Sequence, residues 1–108
     1  MEIVERSHGD WKVLQLSGRI DNNGAIIFKD RLLPLTAMNH GQVLLDFSTV
    51  HYLSSAGLRV LLIGAQQSQA AHGKLRVCHV SPPMHDFFKM SGLDKVLKIY
   101  STLAEAVR

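Results

Sequence analysis

Apolar and polar positions along the chain change their period several times, and each change marks an element. Ile3 to Arg6 and Trp11 to Ser17 read as two strands joined by a turn at His8-Gly9-Asp10. In the second, Trp11, Val13, Leu14 and Leu16 mix alternation with a continuous apolar stretch, the pattern of a strand covered on at least one face. Gly18-Arg19-Ile20-Asp21-Asn22-Asn23-Gly24 is rich in residues that turn and cap, and reads as a loop. From about Ala25 a helix is expected, with Phe28, Leu32 and Leu35 on its inner face and Pro34 as the residue that should kink or end it. Asn39-His40-Gly41 closes this segment.

Val43-Leu44-Leu45-Asp46-Phe47 is an apolar run of strand length, expected to be buried on both faces. Leu58, Leu61, Leu62 and Ala65 then recur at helical spacing, up to a stop at Ala71-His72-Gly73. Lys74 to Val80 alternates Leu75, Val77 and His79 against Arg76 and Cys78, which predicts a further strand. Ser81-Pro82-Pro83 is a helix start, a hydroxyl cap followed by residues that need no N–H donor. Phe87, Phe88 and Met90 should form that helix's apolar side before Gly92 stops it. Val96 to Tyr100 and Thr102 to Val107 read as a last strand and a terminal helix. The order β-β-α-β-α-β-α-β-α predicts one layered α/β domain over 1–108, with a mostly parallel sheet of four to five strands and helices packed on it.

Composition narrows the function classes. An apolar fraction of 46% with 19% charged residues excludes a disordered chain. No apolar run approaches the roughly 20 residues of a membrane-spanning helix. The start Met1-Glu2-Ile3-Val4-Glu5 lacks the basic and apolar regions of a signal peptide, and the single cysteine, Cys78, has no partner for an internal disulfide. These features lead us to expect a cytoplasmic protein. A net charge of +3 invites a nucleic-acid reading, yet the Lys and Arg residues are scattered among acids without a like-charge block. No direct nucleic-acid partner is expected.

Enzyme chemistry is hard to assemble. His8, His40, His51, His72, His79 and His85 show no pairing at metal-ligand spacing, and one cysteine makes no zinc cluster. No phosphate-cradling glycine motif is present, so neither metal nor cofactor is expected. Ser55-Ala56-Gly57 matches the second half of a G-x-S-x-G nucleophile elbow, but Leu53 stands where the first glycine belongs and no histidine follows His85. Trp11, Phe47 and Tyr52 match strand packing better than a stacking platform, Cys78 reads as inert packing, and Asp46 as a residue that ties down the segment after it.

Leu53-Ser54-Ser55-Ala56-Gly57-Leu58 is the most informative stretch, because it puts adjacent hydroxyls where a buried strand gives way to a helix. The unsatisfied N–H groups and positive dipole end of a helix start favour an anion there. A phosphate carried on a serine at that junction meets favourable local electrostatics. Plain helix capping, worth about 1 kcal/mol, is the competing role for either serine.

Three separated pieces, taken together, resemble the STAS family. They are Gly18-Arg19-Ile20-Asp21; Leu45-Asp46-Phe47-Ser48-Thr49-Val50 with Leu53-Ser54-Ser55-Ala56-Gly57-Leu58; and Ser81-Pro82 with Phe88-Lys89-Met90-Ser91-Gly92-Leu93. Within that family the chain is most similar to bacterial anti-sigma factor antagonists. The resemblance implies a binding protein rather than an enzyme. Its unphosphorylated form would engage an anti-sigma factor with serine kinase activity and release that factor's client. Phosphorylation would expel it, and a metal-dependent serine phosphatase would restore it.

Carried over by position, Ser55 is the implied phosphoacceptor, with Ser54 as the alternative, and Asp21 is the acidic residue beside it. Asp21, Asn22, Ser54, Ser55, Ala56, Gly57 and Arg59 form the implied partner surface, Arg59 as a contact or phosphate neighbour. The chain departs from the family's D-S-S-G pattern, with Ser54 where Asp is common and Ala56 where a second Ser is common. Gly24 likewise replaces a common hydroxyl residue, leaving Asn23 as the expected cap of the first helix. The alternative function is an unmodified STAS-fold scaffold or subunit of a stress-signalling or lipid-transport complex.

Overall fold

In the computed structural model, which describes Met1–Arg108, the two opening apolar segments form an antiparallel hairpin of β1 (Glu2–His8) and β2 (Trp11–Ile20). His8 pairs with Trp11, and Gly9, at φ 59°, takes the first position of the two-residue turn. Primed hairpin turns require that left-handed conformation, and glycine adopts it without strain. The rest of the chain runs α1 (Asn22–Thr36), β3 (Gln42–Leu53), α2 (Ser55–Ala70), β4 (Lys74–Cys78), α3 (Pro82–Ser91), a 3-10 turn at Leu93–Lys95, β5 (Lys98–Tyr100) and α4 (Leu103–Ala106).

The five strands lie in the order β1-β2-β3-β4-β5, and every pair after the hairpin is parallel. Since parallel crossovers are right-handed, stepping one strand at a time puts each connecting helix on the same side of the sheet. Leu14, Leu16, Val43, Leu45, Phe47, Leu75 and Val77 meet Phe28, Leu32, Val60, Leu61 and Phe88 there in the main core. The other face carries a smaller cluster of Trp11, Val13, Leu44, Cys78 and Ala106, covered by α4 alone. Arg76 anchors this cover: its guanidinium lies 4.9 Å from the Trp11 ring and 5.4 Å from the Tyr100 ring, and donates to the Ala106 carbonyl at 2.8 Å. The layered, mostly parallel α/β architecture is thus the one the sequence predicts.

Several boundaries differ, for identifiable reasons. Gly18 to Ile20 belongs to β2 rather than to a loop, and β3 continues beyond Phe47 to Leu53. Each extension supplies the other's hydrogen-bonding partner, from Ser17 with Thr49 to Ile20 with Leu53, with a register shift between Gly18 and Arg19. Helix α1 accordingly starts at Asn22, and Asp21 caps it in place of Asn23. Pro34 is carried inside α1, in its last turn, and the helix continues two residues beyond it to Thr36. Strand β4 stops at Cys78 because His79 takes a left-handed conformation, at φ 58°. In α3 only Phe88 is buried; Phe87 and Met90, expected to face inward, lie outside. Tyr52 is also exposed, with the Arg19 guanidinium 4.3 Å from its ring.

Candidate functional site

The C-terminal edge of β2 and β3 holds two helix starts side by side. Ile20 and Leu53 are register partners, so the next residues, Asp21 and Ser54, emerge as neighbours. The Ser54 amide donates to the Ile20 carbonyl at 2.8 Å, stitching the edge together. Asp21 Oδ1 accepts from the Gly24 amide at 2.8 Å, and Ser54 Oγ accepts from the Gly57 amide at 3.1 Å. Each oxygen satisfies one of the donors that a helix start leaves without an internal partner.

Both glycines are needed for close approach. A Cβ on Gly57 would stand 2.6 Å from Leu53 Cδ1 and 2.8 Å from Ile20 Cγ2, and one on Gly24 would stand 2.9 Å from the Arg19 carbonyl oxygen. The α2 start therefore sits directly on the methyl groups that end β2 and β3. That contact buries Ser54, which is 7% exposed, and commits its hydroxyl to the cap. Ser55 is the first residue of α2 and is exposed. The adjacent serines, equivalent as a sequence pair, have become a buried cap and an accessible hydroxyl.

Around Ser55 the geometry favours an anion. The first turn of α2 contains no acidic residue, so its positive dipole end is uncompensated. Arg59 lies one helical turn further on and is exposed, which puts it on the same face as Ser55. None of the three ion pairs, Arg6–Asp46, Lys12–Glu5 and Arg31–Glu5, involves Arg59. An acidic group four residues before a basic one is the more favourable order on a helix.

Of the other residues expected at this surface, Asp21 and Asn22 are exposed and Ala56 is half-buried against the core. Ser54 and Gly57 are buried, so they shape the site by positioning α2. Two residues were missed by sequence reasoning: Ile26 and Ile27, 61% and 46% exposed, stand just beyond the first turn of α1. Their signal was present in Ala25-Ile26-Ile27-Phe28, four consecutive apolar positions of which a helix buries only one side. The two helix starts thus present an exposed hydroxyl, an exposed carboxylate and, on α1, exposed apolar side chains.

A mostly parallel sheet with helices on one face and a hydroxyl presented at the start of the central helix is the architecture of a STAS domain. The chain belongs to the STAS_2 family, described as Mlab, STAS domain, which matches residues 3–100. It is 26% identical over 110 residues to the anti-sigma F factor antagonist of Paenibacillus polymyxa, covering 99% of this chain and 92% of the relative. The crystal structure of an anti-sigma factor antagonist from Mycobacterium paratuberculosis is 25% identical, with a TM-score of 0.86 over 98% of this chain and 90% of that one. The anti-sigma factor antagonist SpoIIAA in its unphosphorylated form shares the fold at 17% identity, with a TM-score of 0.78 over 98% of this chain and 93% of its own. The Bacillus SpoIIAA has also been solved in a phosphorylated form, with a TM-score of 0.73 at 18% identity over 98% of this chain and 96% of that one. These named relatives are binding regulators, not enzymes. No helix of the chain is long and apolar enough to cross a membrane.

Proposed function

We propose that this protein is an anti-sigma factor antagonist whose binding is switched by phosphorylation of Ser55. The observation that carries the reading is the split between the two serines: Ser54 is consumed as a buried cap, whereas Ser55 is exposed at an uncompensated helix start. The names of the relatives support the antagonist role, and a phosphorylated form of a structural neighbour supports the switch. In the unphosphorylated state, Asp21, Asn22, Ser55, Ala56 and Arg59, with Ile26 and Ile27, meet an anti-sigma factor that is also a serine kinase. The kinase transfers the γ-phosphoryl group of ATP to Ser55 Oγ; the new O–P bond replaces the one to ADP, and the hydroxyl proton passes to a base of the kinase. A metal-dependent serine phosphatase reverses the step, and both enzymes act in the cytoplasm.

Phosphorylation adds a charge of about −1.5 to −2 at neutral pH without refolding the domain. Against a desolvated partner surface such a charge costs several kcal/mol, and each 1.4 kcal/mol is tenfold in affinity. Locally the phosphate is tolerated, because the α2 dipole and Arg59 offset it. Binding is thus lost while the fold is kept.

Incubation with the cognate anti-sigma factor kinase and ATP, followed by intact-mass analysis and site mapping, tests the reading. Wild type should gain one phosphate, Ser54→Ala should still gain it, and Ser55→Ala should gain none while retaining partner binding. Phosphate mapping to Ser54 would refute the site assignment. A wild-type chain that takes no phosphate from an active kinase would favour the unmodified scaffold role.

A further inference from the structure

On the sheet face turned away from α1, α2 and α3, three side chains from two separate segments of the chain converge. Asp46 and Cys78 are register partners on β3 and β4, and both are buried. In a continuing strand His79 would point to the opposite face. Its left-handed backbone, at φ 58°, ends the strand and breaks that alternation. A carboxylate oxygen of Asp46, Sγ of Cys78 and an imidazole nitrogen of His79 consequently lie within 4.8 Å of one another. The carboxylate is oriented by the Ser48 amide, which donates to Oδ1 at 2.9 Å and leaves Oδ2 directed elsewhere. Arg6 approaches Oδ2 only to 3.9 Å, from a side chain that is half exposed.

We propose that Asp46, Cys78 and His79 form a binding site for a thiophilic divalent cation of the zinc type, with water as the fourth ligand. The donor set selects the metal. One sulfur, one nitrogen and one oxygen suit zinc, whereas calcium and magnesium take oxygen ligands. Bonds of about 2.0–2.3 Å in tetrahedral geometry put ligand atoms roughly 3.3–3.6 Å apart. Rotation of the side chains by about an ångström closes the triad, and the long Arg6 contact yields to the cation. Ser48 supplies the outer hydrogen bond that aims a ligating carboxylate.

Coordination forms an S–Zn bond and sends the Cys78 thiol proton to solvent, with no change of oxidation state. The resulting carboxylate, thiolate and dication sum to zero, so the buried site carries no net charge. Without a cation, burial first and the Asp46 carboxylate second push the Cys78 thiol up to about 12, against a smaller opposing effect of Arg6. The thiol is then inert toward electrophiles, and a coordinating dication is what ionises it. This site is independent of Ser55 and of the antagonist reading.

Tag-free protein titrated with Co2+, with Zn2+ in competition, tests the proposal. Wild type should bind one Co2+ with a thiolate-to-cobalt charge-transfer band and tetrahedral visible bands, both abolished by Zn2+. Cys78→Ala should lose the charge-transfer band. Asp46→Asn, which keeps an acceptor for Ser48, and His79→Asn, which tolerates the left-handed backbone, should each weaken binding about tenfold or more with an unchanged circular dichroism spectrum. Absence of the thiolate band in wild type overturns the site. So does cobalt binding that survives Cys78→Ala and is lost in His40→Ala, since the His40 and His72 rings stack with centroids 6.0 Å apart.

Discussion

Helices α1 and α2 begin side by side at one edge of the sheet, each with a side-chain oxygen accepting from the amide of a buried glycine three residues on, Asp21 to Gly24 and Ser54 to Gly57. Their electrostatics differ. Asp21 is an exposed carboxylate, so the α1 dipole is met by a permanent negative charge. Ser54 is a buried neutral hydroxyl, and no acid follows it in the first turn of α2. One start is occupied by a fixed anion; the other carries no acidic residue in its first turn. Two capping arrangements of the same shape thus differ in charge, and the proposed switch rests on that difference.

The largest expected effect tests that asymmetry directly. Phosphorylated Ser55 should bind the partner with a loss of about 3 kcal/mol, roughly a hundredfold in Kd. Ser55→Asp should reproduce part of it, whereas Asn22→Asp, the same charge at the first residue of α1, should change Kd by less than about tenfold. Equal losses from the two Asp variants in isothermal titration would mean that the starts are equivalent.

Next come the glycines. Gly24→Ala should destabilise by about 2 kcal/mol in urea unfolding, because its Cβ meets a backbone carbonyl held in β2. Gly57→Ala should cost nearer 1 kcal/mol, since the Leu53 and Ile20 methyls that it meets can move. The reverse order would show that the α2 start is the more rigid of the two.

Cap removal ranks third. Ser54→Ala should lower stability by about 1 kcal/mol, because it leaves the buried Gly57 amide without its acceptor. That loss should be insensitive to salt. Asp21→Asn keeps the acceptor and removes only the charge, so a smaller loss of about 0.5 kcal/mol is expected, shrinking further in high salt. A salt-dependent loss in the Ser54 variant would break the contrast between the two starts.

Periodicity located the central parts of β2, α1, β3 and α2, because the apolar run or stripe that each buries is a local property. Ser81 with Pro82, Pro83 and Gly92 likewise marked both ends of α3, since cap and stop chemistry needs only neighbouring residues. The extensions of β2 through Ile20 and of β3 through Leu53 were illegible for the opposite reason. Neither segment looks like a strand alone; each becomes one through pairing with the other. Moving the end of β2 to Ile20 is also what transfers the α1 cap from Asn23 to Asp21. The exposed Ile26 and Ile27 were hidden among apolar neighbours, since hydrophobicity alone does not separate a buried apolar residue from an exposed one.

By itself the sequence determined the order of elements, the layered α/β class and the presence of hydroxyls at the start of the central helix. All three follow from spacing within short windows. Only the tertiary structure decided which of those hydroxyls is used up. The ends of β2 and β3 pack their methyl groups against Gly57 and draw the Ser54 amide onto the Ile20 carbonyl. Burial of Ser54 and exposure of Ser55 result from that contact between distant segments. The same kind of long-range pairing, Asp46 against Cys78 across β3 and β4, brought together groups that spacing alone had kept apart.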